Sequence, residues 1–305
     1  MLLQSFVNYL RHERNYSEMT ILSYQKDLEQ FRVYVENHCG GFFIPKNVDA
    51  DIVRCWMVFL LENKLTAASV NRKLSALKSF FKYLVKQGEV DVNPLRKVVG
   101  PKNSKPLPYF IKEKAMDTLL DNTFVEKDFE SVRNALVIEI LYNTGIRRSE
   151  CVGLKDTDVD FERMQIKVLG KRNKERLIPF SNGLEEQLKN YMDVRDREVG
   201  SGCVWLLVKK DGSVLSASGI YTIVKKKLAE IPSLAKTNPH VLRHSFATSM
   251  LNNGAELSAV KELLGHQSLA STTVYTHTTF EELKKMYHAH PRAHKKQGGI
   301  YGSEN

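Results

Sequence analysis

The chain has 305 residues, 42% of them hydrophobic and 26% charged, and carries a formal net charge of +10 with a pI near 9.3. That is room for about two domains, and the composition excludes a low-complexity or fibrous chain; no apolar run approaches the ~18 residues of a membrane span, and the start lacks the basic-then-apolar pattern of a signal peptide. Cys39, Cys55, Cys151 and Cys203 form no C-x-x-C pair, which speaks against a disulfide framework or a cysteine zinc site and fits a reducing cytoplasm; the positive balance, spread along the chain, favours a polyanionic partner.

Residues 1–99 read as helical throughout. Ser17 can cap a helix through SYQKDLEQFRVYV, with Leu22, Leu28, Phe31 and Val35 near helical spacing. Asp49 or Asp51 can start a second helix around IVRCWMVFLLE. Thr66 can cap a third, AASVNRKLSALKSFFKYLVKQ, which Gly88 stops. Its apolar side is Val70, Leu74, Leu77, Phe81 and Leu84. Arg72, Lys73, Lys78 and Lys82 lie elsewhere on it, as a solvated face or a face for DNA. Residues 100–108, GPKNSKPLP, hold three prolines and cannot continue a helix, so they predict a stiff, extended interdomain linker.

Beyond the linker, helices and strands mix. KEKAMDTLLD and SVRNALVIEILYNT are helical, the second ended by Gly145. MQIKVLG and ERLIPF alternate with a period of two about GKRNK, which predicts a hairpin. LEEQLKNYMDVRD is helical, VWLLV a short strand and SGIYTIVKKKLAE a helix. Asn238-Pro239 supplies an N-cap followed by proline at the first helical position, opening HVLRHSFATSMLNN. SAVKELLG, a segment around STTVYTHT and a last helix, EELKKMYHAH, complete the chain.

Four places carry residues fit for phosphodiester chemistry. Exchange at phosphorus needs an in-line nucleophile, an acid for the leaving oxygen, and cations or donors for the charge that develops on the phosphoryl oxygens. Arginine's planar fork suits two phosphate oxygens at once. Arg147, in YNTGIRRSE, follows the Gly145 stop at an exposed turn, and Glu150 could hold its guanidinium; the plain alternative is a solvated helix start. His240 and Arg243, three apart in PHVLRH, fall in the first turn of their helix, where free N–H groups and the positive dipole end favour an anion. His240 with His244 could instead be a zinc pair, although the glutamate of H-E-x-x-H is missing, or ordinary helix residues. His266 follows Gly265 after an apolar helix, and Tyr275 lies nine residues on; a lone tyrosine is usually structural and needs neighbouring cations or a base to act as a nucleophile. Lys171, in the hairpin, is a solvated lysine or a general acid. Each signal is weak alone. Their order along the chain is not.

That ordered set, G-I-R-R-S-E, a hairpin lysine, H-x-x-R, L-G-H and Y-T-H, resembles the tyrosine recombinase family, and within it the Xer recombinases. The resemblance covers essentially the whole chain and is strongest in 141–153, 168–180 and 238–279. It implies a mainly α fold. An N-terminal all-α, SAM-like core-binding domain (1–99) would join, through linker 100–108, a mostly helical α+β catalytic domain (109–305) with a small antiparallel β-sheet, and the two would clamp the duplex. It also implies roles: Arg147 and Arg243 clamping the phosphate, Lys171 as general acid for the 5′ hydroxyl, His240 assisting proton transfer, His266 hydrogen-bonding the phosphate, and Tyr275 forming a 3′-phosphotyrosyl link. No metal or nucleotide cofactor would be consumed. The partners would be a double-stranded recombination site and further protomers, as a homo- or hetero-tetramer on two sites, with a second recombinase and an FtsK-type translocase as candidate helpers. The segment from about residue 280, with Leu283, Met286 and Tyr287 on one side, would dock on a neighbouring protomer, although packing on its own domain is the default. Two positions depart from the family pattern. Arg172 replaces a usual glycine in the hairpin, which bears on the choice of Lys171 over Lys174, and Cys151 replaces a usual leucine and should be tolerated as a small buried residue. Chromosome dimer resolution is the leading expectation. The alternatives are a mobile-element integrase, for whose extra arm-binding domain the chain has no room, a type IB topoisomerase, and a non-catalytic DNA-binding protein. Base readout is expected from the Thr66–Gln87 helix and from around 218–230.

Overall fold

The structure is a computed structural model that describes residues 2–103, 110–121, 128–170, 173–232, 234, 236–265 and 280–293. The chain divides into two compact units, Met1–Pro106 and Leu107–Asn305, parting within the proline-bearing stretch.

In the first unit, helices enclose one apolar core. α1 (Leu2–Asn8) runs on into a wider π-helical turn, Tyr9–Glu13; α2 (Glu18–His38), α3 (Ala50–Glu62) and α4 (Ala67–Lys86) follow. Each of the last three starts where a side chain accepts from backbone N–H groups of the first turn: Ser17 from Thr20, Asp49 from Asp51 and Ile52, Thr66 from Ser69. So Asp49, not Asp51, caps α3. Phe6, Phe31, Trp56, Phe80 and Phe81 fill the centre. On α2 the inward stripe begins one residue earlier than the spacing suggested: Ile21 is buried and Leu22 is 56% exposed. Ile21 stands seven residues before Leu28, two turns on the same face; Leu22 is turned about 100° away from that stripe.

The basic residues of α4 are not a free cationic face. Lys73 is buried and donates to Asp27 Oδ1 at 2.9 Å and to Gln30. Arg72 donates to Ser23 Oγ at 2.7 Å and to both Asp27 oxygens. Lys78 donates to the Val98 carbonyl at 3.0 Å, which leaves Lys82 exposed. Asp27 is itself buried, and a buried carboxylate must be paired, so two of these cations staple α4 to α2.

The second unit is built round α6 (Phe129–Thr144), which is buried on every side rather than amphipathic. Asp128 caps its start, and Gly145 ends it at φ 61°. A Cβ on Gly145 would come within 2.5 Å of Phe246 and 2.8 Å of Leu264, so glycine is required there both by conformation and by space. Around α6 lie α5 (Glu113–Asp121), α7 (Arg148–Val152), α8 (Asn182–Glu198), α9 (Ala217–Leu228), α10 (Pro239–Asn252), α11 (Leu257–Leu264) and α12 (Phe280–Tyr287). Three strands, β1 (Val159–Asp160), β2 (Gln165–Leu169) and β3 (Glu175–Pro179), form one antiparallel sheet in chain order. Ile166 faces Ile178 and Val168 faces Arg176 across the expected hairpin.

VWLLV does not form a strand. Leu206, Leu207 and Val208 are buried, but the segment makes only single bridges, Lys155 to Trp205 and Val208 to Val214. It crosses the core without running beside any partner long enough for a ladder. At the end of α12 and just beyond it, Tyr287, His290 and Arg292 are buried in the unit's own core, with Arg292 donating to Asp117 at 3.1 Å and Glu139 at 3.2 Å. The architecture is the expected one: mainly α, an all-helical N-terminal unit, and a helical second unit with a small antiparallel sheet. Among the described residues no helix is long and apolar enough to cross a membrane.

Candidate active site

The Gly145 stop leaves Arg147 as the N-cap of α7, with extended backbone at φ −74° and ψ 151°. Glu150, one turn on, turns back to it. One carboxylate oxygen accepts from the Arg147 backbone N–H at 2.7 Å, the other from its Nη1 at 2.8 Å. Arg147 Nη2 reaches the Gly265 carbonyl at 3.2 Å, across 118 residues of sequence. The expectation that Glu150 would hold this guanidinium is met in the structure.

Arg243 enters from α10. Asn238 caps that helix by accepting from the His240 N–H, and Pro239 opens it, which sets His240 in the first turn and Arg243 directly after it, one residue past the expected position. Arg243 Nη1 donates to the Gly145 carbonyl at 2.6 Å and Nη2 to the Leu264 carbonyl at 2.7 Å. It is 9% exposed. Burial, with Arg147 and Arg176 close by and Glu150 only partly compensating, pushes its pKa down to about 10. It therefore keeps its charge at neutral pH, under a strain that a bound anion would relieve.

Arg176, on β3, was not singled out from the sequence. Its Nη1 and Nη2 fork onto the two oxygens of Glu150 at 3.1 and 2.8 Å, and its Nε donates to the Leu263 carbonyl at 2.8 Å. A signal was present: in the two-residue period of β3 it shares the face of buried Ile178, and it stands opposite buried Val168. A charge on that face needs a partner. Burial alone would raise the Glu150 carboxyl, but the hydrogen bonds from Arg176 and Arg147 outweigh it and hold it below the usual carboxylate range.

Three guanidiniums thus surround one carboxylate, and each also takes one carbonyl at the end of α11: Arg176 that of Leu263, Arg243 that of Leu264, Arg147 that of Gly265. These are carbonyls that a helix end leaves without intrahelical partners. The cluster keeps an excess of positive charge. It opens into a cleft of about 310 Å³ lined by Ile146, Arg147, Arg148, Tyr221, Asn238, Pro239, His240 and Arg243. Among the described residues Arg147 and Arg243 each commit two of five N–H donors to the protein, so donors remain for a ligand on the cleft side. Arg148, on the rim, lies 5.7 Å from the Tyr221 ring centre in a cation–π contact.

Of the six residues expected to carry chemistry, Arg147, His240 and Arg243 line this one cleft. Lys171, His266 and Tyr275 lie outside the described residues, as does Arg172. Their chain neighbours are described. Gly265, which precedes His266, caps α11 at φ 64°. Gly170, which precedes Lys171, is close enough to the cluster that a Cβ on it would lie 3.3 Å from Arg176 Nη1 and 3.7 Å from Glu150 Oε1. No third His, Cys, Asp or Glu joins His240 and His244 as a metal-holding group among the described residues. Cys151 is fully buried, and burial pushes its thiol up to about 12, so it serves as a small core residue.

The phage integrase family matches residues 110–282, and the family's N-terminal SAM-like domain matches residues 3–88. The tyrosine recombinase XerC of Staphylococcus saprophyticus is 38% identical over 294 residues, covering 96% of this chain and 98% of that one. The solved XerH site-specific recombinase, bound to a palindromic difH substrate in a post-cleavage complex, superposes with a TM-score of 0.71 at 26% identity, over 89% of this chain and 80% of that one. The Tn1549 transposon integrase in complex with circular intermediate DNA gives a TM-score of 0.70 at 22% identity, over 93% of this chain and 98% of its own, which shows a shared fold. With a family match over more than half its length and that identity across almost all of it, the chain belongs to the phage integrase family: it is a site-specific tyrosine recombinase of Xer type, an enzyme that cleaves and rejoins DNA.

Proposed function

We propose that this recombinase resolves chromosome dimers, with Tyr275 attacking the scissile phosphate to form a 3′-phosphotyrosyl link. Arg147 and Arg243 clamp the phosphoryl oxygens, His266 adds a hydrogen bond, His240 assists proton transfer, and Lys171 protonates the 5′ oxygen. The covalent link conserves the energy of the broken phosphodiester, so religation needs no nucleotide. The observation that carries the reading is the convergence of two guanidiniums from distant segments on one cleft beside His240, with positive charge in excess. Preorganised donors of that kind contribute on the order of 3–4 kcal/mol each to a phosphoryl transition state. The test is a suicide substrate carrying a site recovered from DNA bound to the protein. Tyr275→Phe should bind it normally and form no covalent adduct; an adduct in that variant sinks the assignment.

In this reading the first unit, Met1–Pro106, grips the core of the site and the second carries the chemistry. Four protomers assemble on two duplex sites in the cytoplasm, with a second recombinase and an FtsK-type translocase as the partners to look for. The alternative, integration of a mobile element, uses the same chemistry. A bound site found once per chromosome near the terminus supports dimer resolution; one found at an element's ends overturns it. Of the segment from about residue 280 expected to dock on a neighbouring protomer, the part after Ala293 keeps that proposed role. Because Tyr287, His290 and Arg292 belong to the unit's own core, truncation after Ala293 is the clean probe. It should spare DNA binding and abolish recombination, and unchanged recombination removes the docking role.

A further inference from the structure

We propose that Arg176 is a positioning residue for strand cleavage, setting Arg147 through Glu150 and fixing the end of α11 from which His266 follows. The inference rests on the reading above of Arg147 and His266 as phosphate-contacting groups.

The geometry separates Arg176 from the two clamp arginines. Nε and both Nη atoms are engaged within the protein, and its side chain is only 12% exposed. It does not line the cleft. What it does is tie together three segments, β3, the start of α7 and the end of α11. It belongs to β3, one arm of the hairpin that carries Lys171. Its fork occupies both oxygens of Glu150, the same two that hold the Arg147 backbone and guanidinium. Its Nε holds the Leu263 carbonyl, and its guanidinium lies 3.3–3.4 Å from where a Cβ on Gly265 would sit. The bidentate fork adds a second pair of bonds that fixes the carboxylate plane more tightly than the two from Arg147 alone. The charged groups facing Glu150 are Arg147 at the start of α7, Arg176 on β3 and Arg243 on α10, with the Cys151 thiol beside it. Losing Arg176 therefore frees the Glu150 carboxylate on one side and loosens the helix end on the other. Misplacing a reacting group by about 1 Å can cost on the order of 100-fold in rate.

The experiment is single-turnover adduct formation at saturating enzyme, with Arg176→Gln and Arg176→Lys, between about pH 5 and pH 8. DNA affinity should stay within about twofold, because Arg176 is enclosed. The adduct rate should fall at least about tenfold in Arg176→Gln, with partial recovery in Arg176→Lys. The acid limb of the rate should also move to higher pH in Arg176→Gln, since Glu150 loses the partner that most strongly holds its carboxyl down. A purely structural role would lower the amplitude, by the fraction folded, equally at every pH; that result, or an unchanged rate, overturns the proposal. If Arg176→Gln does not fold, Arg176→Lys is judged by the same rate and pH criteria. Tyr275→Phe runs alongside: an adduct there defeats the underlying reading. No adduct there, with wild-type behaviour in both Arg176 variants, defeats only this inference.

Discussion

Each unit of the chain buries a carboxylate among cations, and the two arrangements end differently. In the first unit Asp27 takes Arg72 and Lys73 from the neighbouring helix, and Lys73 is buried with it. In the second, Glu150 is shared by Arg147 and Arg176 with Arg243 beside them, and the side chain of Arg147 stays 36% exposed at a cleft. The first cluster joins two helices, and its cations, the enclosed Lys73 and the 47%-exposed Arg72, bond to Asp27 and its neighbours Gln30 and Ser23. In the second, three guanidiniums meet one carboxylate, and two of them line a cleft of about 310 Å³ beside His240 with N–H donors uncommitted among the described residues. Neither cation count nor exposure distinguishes the two clusters; the convergence of arginines from distant segments on a cleft does.

The contrast can be broken from either side. The largest effect is expected at Arg243→Ala, which removes two carbonyl contacts and one arm of the clamp. Adduct formation should drop on the order of 1000-fold, about 4 kcal/mol of barrier, read in single-turnover cleavage of a suicide substrate. Asp27→Asn should do the opposite kind of damage. Lys73 would keep a buried charge without its counter-ion, costing about 3 kcal/mol in urea unfolding, while the adduct rate per folded molecule stays that of the wild type. A slower adduct rate there would mean the Asp27 staple also serves catalysis. The smallest effect is in the pH dependence of stability. The folded-state carboxyl of Glu150 is held low, so its contribution is present above the unfolded value near ~4.3 and is lost as pH falls through the lower folded value. The Tm of the wild type should therefore fall more steeply with acid in that window than the Tm of Glu150→Gln; parallel curves would show that Glu150 is not a major acid-sensitive group.

Most of the frame was legible because its signals are local. Ser17, Thr66, Asn238 and Gly145 mark helix ends through their own backbone chemistry, and the hairpin follows from a two-residue period. Arg147, His240 and Arg243 were legible because motif order supplied what spacing alone could not. Most of the misses were matters of partners distant in sequence. Lys73 resembled a surface lysine because nothing near it announces Asp27, 46 residues away. VWLLV has the composition of a strand, but a strand needs a neighbour to pair with along its length. Leu22 was misplaced by one residue, within the phase error that a short apolar stripe allows. Arg176 was hidden because its carboxylate lies 26 residues back and its carbonyl 87 residues ahead.

Those separations bear on when the enzyme becomes dangerous to DNA. The three carbonyls of Leu263, Leu264 and Gly265 are claimed by arginines from α7, β3 and α10, at sequence distances up to 118 residues. Contacts of such span form only after long loops have closed, so they come late in folding. A chain still emerging from the ribosome, or one partly unfolded, has the arginines without the assembled clamp. Strand cleavage by the proposed site would thereby wait until the catalytic unit is complete.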